Sequence, residues 1–205
     1  MILAIDTTAG TSAAVVAEGR ILGFCGFDDP FGHAENVGKA IEIAFERAEI
    51  SSDQIERVAI SRGPASYTGL RVGMAAGVAF ATARKIPLHG VVSLDAVASF
   101  YGQGIEDERW LVTSDAKRGE LFVVVYSGFD GSELPLRAID PQVMKPLEVE
   151  ENYQGLTRIE ESCDARAVGS FCEKSIAAGF ALSDVSALYL RSPDVTPSAG
   201  KRVSG

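Results

Sequence analysis

The first residues able to do chemistry follow a short hydrophobic segment at residues 2–5, where Asp6, Thr7 and Thr8 place a carboxylate beside two hydroxyls. Oxygen ligands of this kind can contact a magnesium ion or the phosphates of a nucleotide. The same side chains can instead form a local turn, in which they accept hydrogen bonds from backbone N–H groups. We favour the turn because the motif is short, and nucleotide contact is the second interpretation.

A second polar group lies at residues 63–69, where the sequence GPASYTG joins a hydrophobic segment to a run rich in glycine and alanine. It has neither the lysine of a P-loop nor the spacing of a GxGxxG dinucleotide motif. The N–H groups at the start of the following helix could bind an anion. Ser66 and Thr68 could equally cap that helix, and we expect capping.

Histidine and cysteine chemistry is not indicated by the sequence. The two histidines, His33 and His89, lack the spacing of a metal-binding pair. His33 with Glu35 could form an acid–base pair, but at a helix start this pattern is typical of an exposed polar turn. The three cysteines form no CxxC pair and indicate a reducing compartment. We therefore expect no catalytic residue and no metal site.

The helix after residue 68 carries Gly69, Gly73 and Gly77 on one face, with Ala76 beside them. A glycine inside a helix costs about 1 kcal/mol relative to alanine, so three of them need a compensating contact. One explanation is close packing on the protein's own sheet, and the other is docking of a second helix. Under the docking hypothesis, Gly73→Leu would weaken association and leave the monomer folded.

The elements that must position these residues begin with three strand-like segments at 2–5, 11–17 and 21–27. An amphipathic helix follows at 33–48. The pattern then alternates between strands at 58–60 and 89–92 and helices at 68–83 and 94–101. This order, β-β-β-α-β-α-β-α, is that of the ribonuclease-H-like unit of actin-like ATPases. We place this first lobe at residues 1–103.

A reduced second lobe is predicted at residues 104–191. Strands are expected at 110–113, 121–126 and 134–139, with a turn at 127–131. The pattern is weaker beyond these: a strand at 165–168 leads into a helix at 171–178, and a last strand at 187–190 closes the fold. Residues 192–205 are expected to be a mobile tail.

Composition limits the class of function. The net charge of −9 argues against a broad nucleic-acid surface, because phosphate contacts depend on lysine and arginine. The chain opens with a strand-like segment, and its most apolar window is too short to span a bilayer. We therefore expect a cytoplasmic protein that makes no contact with a membrane and that meets RNA only through another subunit.

Several segments together resemble one family. The sequence GPASYTGLRVG at 63–73 is similar to the GPGSFTGLRIG signature of the TsaB family, also called YeaZ. Ala65, Tyr67 and Ala34 depart from the family pattern by small changes. The resemblance extends along the chain through IDTT at 5–8, HAE at 33–35, SLDAVA at 93–98, DAKRGELF at 115–122 and YLR at 189–191.

The resemblance implies an actin-like α/β fold with two lobes, the second one reduced. It also implies a non-catalytic scaffold that binds TsaD in the complex making N6-threonylcarbamoyladenosine in tRNAs that read codons starting with A. TsaE, an ATPase, completes that complex, and a homodimer is expected without TsaD. The metal-binding His-x-Glu-Gly-His of TsaD corresponds to residues 93–97 here, where both histidines are replaced.

We expect the partner to contact the helices at 33–48 and 68–83, through His33, Val37, Ile41, Gly69, Arg71, Gly73, Ala76 and Gly77. No cofactor bound by this chain alone is expected, and the resemblance leaves room for ATP or ADP at the interface of the complex. The alternative function is a stand-alone actin-like ATPase or sugar-kinase relative, in which Asp6 would hold magnesium. The short second lobe weighs against this alternative.

Overall fold

The computed structural model describes residues 1–29 and 31–191. Its first sheet has the strand order β3-β2-β1-β4-β5. The first three strands are antiparallel neighbours, whereas β4 pairs in parallel with both β1 and β5. The strands are Ile2–Asp6 (β1), Thr11–Ala17 (β2), Arg20–Phe27 (β3), Arg57–Ser61 (β4) and Leu88–Val91 (β5). Every residue of β1 is buried, as expected for a central strand covered on both faces.

Two helices cover one face of this sheet: α1 (His33–Ala48) and α2 (Tyr67–Arg84). Alternate residues of β1, including Leu3 and Ile5, pack beneath them in one hydrophobic core. A short 3₁₀ turn at Ser52–Gln54 leads from α1 into β4. The predicted bounds of α1 are confirmed at both ends, because its apolar residues follow the helical period closely.

The chain then passes through α3 (Ser93–Tyr101) into a second sheet, whose strand order is β8-β7-β6-β9. Helix α4 (Pro146–Asn152) covers the outer side of this sheet through Val149. The strands are Trp110–Asp115 (β6), Leu121–Phe129 (β7), Pro135–Met144 (β8) and Thr157–Ile159 (β9). The predicted α/β class is confirmed, and the second sheet is the smaller, with four strands against five.

Helix α5 (Ala165–Ala177) follows the second sheet in sequence but packs on the first, against β1, β2 and β4. The prediction of a strand at 165–168 is therefore wrong. The Asp164 carboxylate accepts hydrogen bonds from the N–H groups of Arg166 at 2.8 Å and Ala167 at 3.3 Å, which begins the helix at Ala165. The hydrophobic core between the sheets joins α3, α5 and the inner face of the second sheet.

Other differences lie at the end of the second lobe. Strand β8 extends beyond the predicted segment. It contains Pro135 and Pro141, which are tolerated because β8 is an edge strand whose pairing with β7 is irregular. Residues 187–190 form no strand, although Leu188 donates one backbone hydrogen bond to Arg62. Helix α4 and strand β9 were not predicted. The expected tail at 192–205 lies outside the described residues, and the division of the chain at residue 103 stays a prediction.

Within the part of the chain that the structure describes, no helix is both long and apolar enough to cross a membrane.

Candidate functional site

A cleft of about 820 Å³ lies between the two lobes. From the first lobe it is lined by the turn after β1, the start of α1 and the starts of α2 and α3. The β6–β7 hairpin faces them from the second lobe. Residues from the end of the described chain complete the wall. The polar and charged lining residues include Thr8, His33, Ser66, Ser93, Lys117, Arg118 and Arg191.

Asp6 lies beneath this cleft and does not line it. Its carboxylate is 1% exposed and accepts hydrogen bonds from Thr8, from the backbone N–H at 3.2 Å and from the hydroxyl at 2.9 Å. Burial raises the pKa of Asp6 to about 6, against the opposing effect of the Ser61 and Thr8 hydroxyls. The local-turn interpretation of Asp6 and Thr8 is confirmed. Nucleotide contact by residues 6–8 stays a prediction, and of the three only Thr8 reaches the cleft wall.

Thr7 is fully buried, and its hydroxyl has no hydrogen-bond partner among the described residues. It lies against α2 at Gly73, where an added β-carbon would overlap the Thr7 hydroxyl. The Thr7 side chain therefore faces α2, and Thr7 does not line the cleft.

The glycine stripe of α2 faces the protein's own first lobe. All three glycines are buried, and a β-carbon at Gly77 would overlap the Ile60 side chain. A β-carbon at Gly69 would lie 2.7 Å from Nε2 of His33. Close packing on the sheet thus accounts for the stripe. The structure argues against the expectation that Gly73→Leu leaves the monomer folded, because Thr7 already fills the space that the leucine side chain would need.

His33 is only 7% exposed, so the expectation of an exposed polar turn is wrong. Its Nδ1 lies 2.9 Å from the hydroxyl of Thr11, which fixes the ring between the turn after β1 and the first turn of α2. One edge of the ring reaches the cleft. The sequence did not reveal this burial, because the contact joins residues 22 positions apart.

The first turn of α2 has no side-chain cap. The predicted capping by Ser66 and Thr68 is therefore wrong. The first helical hydrogen bond runs from Leu70 N–H to the Ser66 carbonyl at 3.2 Å. The preceding Gly63 has φ +99°, and a β-carbon there would lie 2.9 Å from the Leu188 carbonyl oxygen. The turn therefore requires glycine at this position.

An aromatic cluster closes the rim of the cleft beside α2. The Arg71 guanidinium lies 3.8 Å from the centre of the Tyr67 ring, and Arg71 Nε donates to the Tyr189 hydroxyl at 3.1 Å. The two tyrosine rings are 5.0 Å apart. Within the described chain Arg71 orders this rim while its side chain stays accessible, and its predicted contact with a partner stays a prediction.

The last described residues, 182–191, cross from the first lobe to the second. Arg62 pairs with Asp184 at 2.7 Å and donates to the Ser186 carbonyl at 2.9 Å. At the other end, Arg191 donates to the Ala116 carbonyl at 2.9 Å and pairs with Glu120 of the β6–β7 hairpin. We call residues 182–191 the terminal segment. Sequence patterns did not reveal this path, because it has no regular period.

A buried ionic network joins the lobes on the other side of α3. Asp95 accepts hydrogen bonds from the Tyr126 hydroxyl at 2.9 Å and from Arg137 Nε at 2.8 Å. Burial and the neighbouring Asp95 raise the pKa of the Tyr126 hydroxyl well above its ordinary value, so that it stays a donor. The network fixes the position of α3, whose N-terminus lines the cleft.

The residues predicted to contact a partner fall into two groups. The first group is buried between α2 and the rest of the first lobe, and it consists of His33, Gly69, Gly73 and Gly77. Val37, Ile41 and Ala76 are partly buried and pack with the core beneath α1 and α2. Together with Arg71, these three reach the surface of the α1–α2 pair.

Comparison with known proteins places these features in a family. A family model described as TsaD, tRNA N6-adenosine threonylcarbamoyltransferase, matches residues 31–189. An uncharacterized protein of Mycobacterium leprae is 34% identical over 96% of this chain and 56% of its own length. The tRNA threonylcarbamoyladenosine biosynthesis protein TsaB of Escherichia coli is 28% identical, over 76% of this chain and 67% of its own. The chain thus spans between about half and two thirds of these relatives.

The solved structure of YeaZ from Pseudomonas aeruginosa has a TM-score of 0.77 at 21% identity, covering 92% of this chain and 99% of that one. A second Pseudomonas aeruginosa structure, of a protein with similarity to peptidase YeaZ, has a TM-score of 0.79 at 22% identity. It covers 93% of this chain and 99% of its own. At such identities the likeness concerns the fold.

Proposed function

The chain belongs to the TsaD family of tRNA N6-adenosine threonylcarbamoyltransferases and, within it, to the TsaB (YeaZ) group, and from this we propose that it is a non-catalytic scaffold in the synthesis of N6-threonylcarbamoyladenosine. It acts by binding TsaD, in a complex that TsaE completes. In the absence of TsaD, two copies of this chain associate through the same surface. The tRNAs concerned read codons that start with A.

The observation that carries this proposal is the outward face of α2. Between Arg71 and Arg84 the helix has no charged residue, yet Ala75, Val78 and Ala79 are exposed. A surface helix ordinarily presents charged side chains to water. A face of small, uncharged residues lets another helix approach closely, which is the property a helix–helix interface needs. We call this surface, together with Val37, Ile41, Arg71 and Ala76, the α1–α2 face.

The buried glycines contribute to this face indirectly. Gly73 and Gly77 bring α2 close to the sheet, because a β-carbon at either position would overlap Thr7 or Ile60 beneath the helix. Phe45 of α1 and Phe80 of α2 have ring centres 6.0 Å apart and fix the two helices side by side. The pair therefore offers a single rigid surface to TsaD.

A scaffold role also agrees with the state of Asp6. A carboxylate that holds magnesium must reach the nucleotide, whereas Asp6 is buried and accepts hydrogen bonds from Thr8 within its own turn. Any ATP or ADP used by the complex would then bind at its joints with TsaD and TsaE. The net charge of −9 favours tRNA contact through those partners.

The test is association with purified TsaD, measured as mass by light scattering. Val78 is 46% exposed on the α1–α2 face, and Val78→Glu should place an unpaired charge in the interface and abolish the complex. The control is Leu147→Glu in α4, since Leu147 is 76% exposed but lies in the second lobe. Both variants should keep the thermal unfolding midpoint of the wild type.

Loss of complex with Val78→Glu and its retention with Leu147→Glu is the expected result. Equal binding by the wild type and Val78→Glu would place the interface elsewhere. Failure of the wild type to bind TsaD, with and without TsaE and nucleotide, would refute the scaffold function itself.

A further inference from the structure

We propose that the N-terminal end of the α1–α2 face is the hot spot for TsaD binding, and that TsaD meets it with an apolar side chain beside a carboxylate. The residues of this hot spot are Phe31, Tyr67, Arg71 and Tyr189, and we call them the rim cluster. The inference rests on the proposed scaffold function, because it names the residues and the partner chemistry of that same surface.

Phe31 is the most exposed large hydrophobic side chain among the described residues, at 92% exposure. It lies two residues before α1 begins at His33, and it lines the cleft together with Tyr67 and Tyr189. Its backbone N–H donates to the Asp29 carboxylate at 2.9 Å, which fixes the chain at this point. Because the contact of an aromatic ring with water is unfavourable, a partner that covers Phe31 gains the free energy of burying it.

Tyr67 and Arg71 continue the exposed stripe of α2 that belongs to the α1–α2 face. The residues at positions 67, 71, 75, 78 and 82 recur every three or four residues, and all of them are exposed. Residues with this spacing lie on one side of a helix. The stripe is about 22 Å long, from a rise of about 1.5 Å per residue. A partner helix packed along the stripe over Val78 therefore reaches the rim cluster.

The rim cluster is ordered before any partner binds. The Tyr67 and Tyr189 rings are 5.0 Å apart, and the Arg71 guanidinium lies 3.8 Å from the centre of the Tyr67 ring. The hydrogen bond from Arg71 Nε to the Tyr189 hydroxyl, at 3.1 Å, joins the third pair. Since these contacts already hold the side chains in one arrangement, binding costs little side-chain entropy. Tyrosine and arginine are also enriched at the hot spots of protein interfaces.

The charge of Arg71 determines the chemistry of the partner. Within the described part of the chain, Arg71 pairs with no carboxylate, and Tyr189 occupies only its Nε. The two terminal nitrogens remain as donors, in the fork geometry that binds both oxygens of a carboxylate. An aspartate or glutamate of TsaD beside an apolar side chain complements Arg71 and Phe31 together.

The first test compares the affinity of purified TsaD for the wild type and for Phe31→Ala by isothermal titration calorimetry. The variant should bind about tenfold more weakly or worse, with an unchanged thermal unfolding midpoint, because the ring is exposed in the free chain. Phe180→Ala is the control. Phe180 is 55% exposed and follows α5, which covers the opposite face of the first sheet from α1 and α2. This control should bind TsaD like the wild type.

The second test detects the carboxylate through the effect of salt. Arg71→Gln should weaken TsaD binding and also reduce the loss of affinity with rising sodium chloride, because salt screens an ion pair at an interface. Arg20→Gln is the control, since it makes the same change in net charge. Arg20 is exposed at the end of β3 away from the cleft, where it pairs with Ala17. This control should keep the affinity and the salt dependence of the wild type.

Weaker binding by Phe31→Ala and a smaller salt dependence in Arg71→Gln, with both controls unchanged, support the rim cluster. Wild-type affinity in Phe31→Ala would overturn it, and so would an unchanged salt dependence in Arg71→Gln. In either case the scaffold function stands if the wild type binds TsaD and Val78→Glu does not. Absence of binding by the wild type refutes the scaffold function, and the rim cluster with it.

Discussion

Gly73 lies directly over the side chain of Thr7, so close that a β-carbon at position 73 would overlap the Thr7 hydroxyl. This contact joins the middle of α2 to the turn after β1. It explains why a helix that needs stability nevertheless keeps glycine in its interior, since any larger residue would push α2 away from the sheet.

The first prediction concerns this contact. Gly73→Ala should lower the free energy of unfolding by about 1–3 kcal/mol, because the added methyl overpacks a closed space. Gly38→Ala in α1 is the control, since nothing lies within 4 Å of its β-carbon position. It should raise the free energy of unfolding by about 0.5–1 kcal/mol through helix propensity. Urea unfolding measures both. Equal effects of the two changes would show that α2 can move off Thr7 at little cost.

The second prediction concerns Asp95. Asp95→Ala should lower the free energy of unfolding by about 3–5 kcal/mol, because the Tyr126 hydroxyl and the Arg137 guanidinium lose their acceptor in a buried place. Asp140→Ala removes another carboxylate that pairs with the same arginine, at 3.2 Å. Because the side chain of Asp140 is 86% exposed, its loss should cost less than about 1 kcal/mol. Similar costs at both positions would mean that the buried network does not hold the lobes together.

The third prediction concerns pH. Burial raises the pKa of Asp6 from its ordinary value of 3.8 to about 6, so between these values the folded state binds a proton that the unfolded state has lost. The free energy of unfolding should therefore fall as pH rises through this window, by about 2–3 kcal/mol from this residue. Asp6→Asn should remove that contribution, because asparagine keeps an oxygen for Thr8 but does not titrate in this range.

The measurement is the difference in unfolding free energy between the wild type and Asp6→Asn at pH 4 and at pH 7. Other carboxylates titrate alike in both proteins and cancel in this comparison. The wild type should lose stability relative to the variant as pH rises. A difference that is the same at both pH values would show that Asp6 keeps its ordinary acidity.

The sequence allowed the first lobe to be predicted closely, because its elements carry strong local signals. The helical spacing of apolar residues in α1 and the short apolar run of β2 depend on neighbours within the same element. The signal at residues 63–73 also located the start of α2. The predicted cap was wrong, because the Ser66 side chain makes no capping hydrogen bond and a local sequence pattern does not determine its rotamer.

The cleft itself was harder to predict, because its geometry depends on contacts between distant residues. One hydrogen bond joins Thr11 to His33 within the first lobe, and another joins Arg137 of the second lobe to Asp95 of the first. Neither pair has a spacing that a motif could record. The start of α5 was missed for another reason: the short sequence ARAV at residues 165–168 fits a strand as well as a helix, and the Asp164 cap decides between them.

The terminal segment is a third crossing of the chain between the two lobes, besides the chain links that follow α3 and precede α5. Arg62 anchors one end of it and the β6–β7 hairpin the other. A protein of two lobes with only a hinge between them can open and close around its ligand. Here a hinge motion would have to break two hydrogen bonds, one from Arg191 to the Ala116 carbonyl and one from the Leu188 N–H to the Arg62 carbonyl. The terminal segment therefore holds the two lobes together, and the width of the cleft is set when the chain folds.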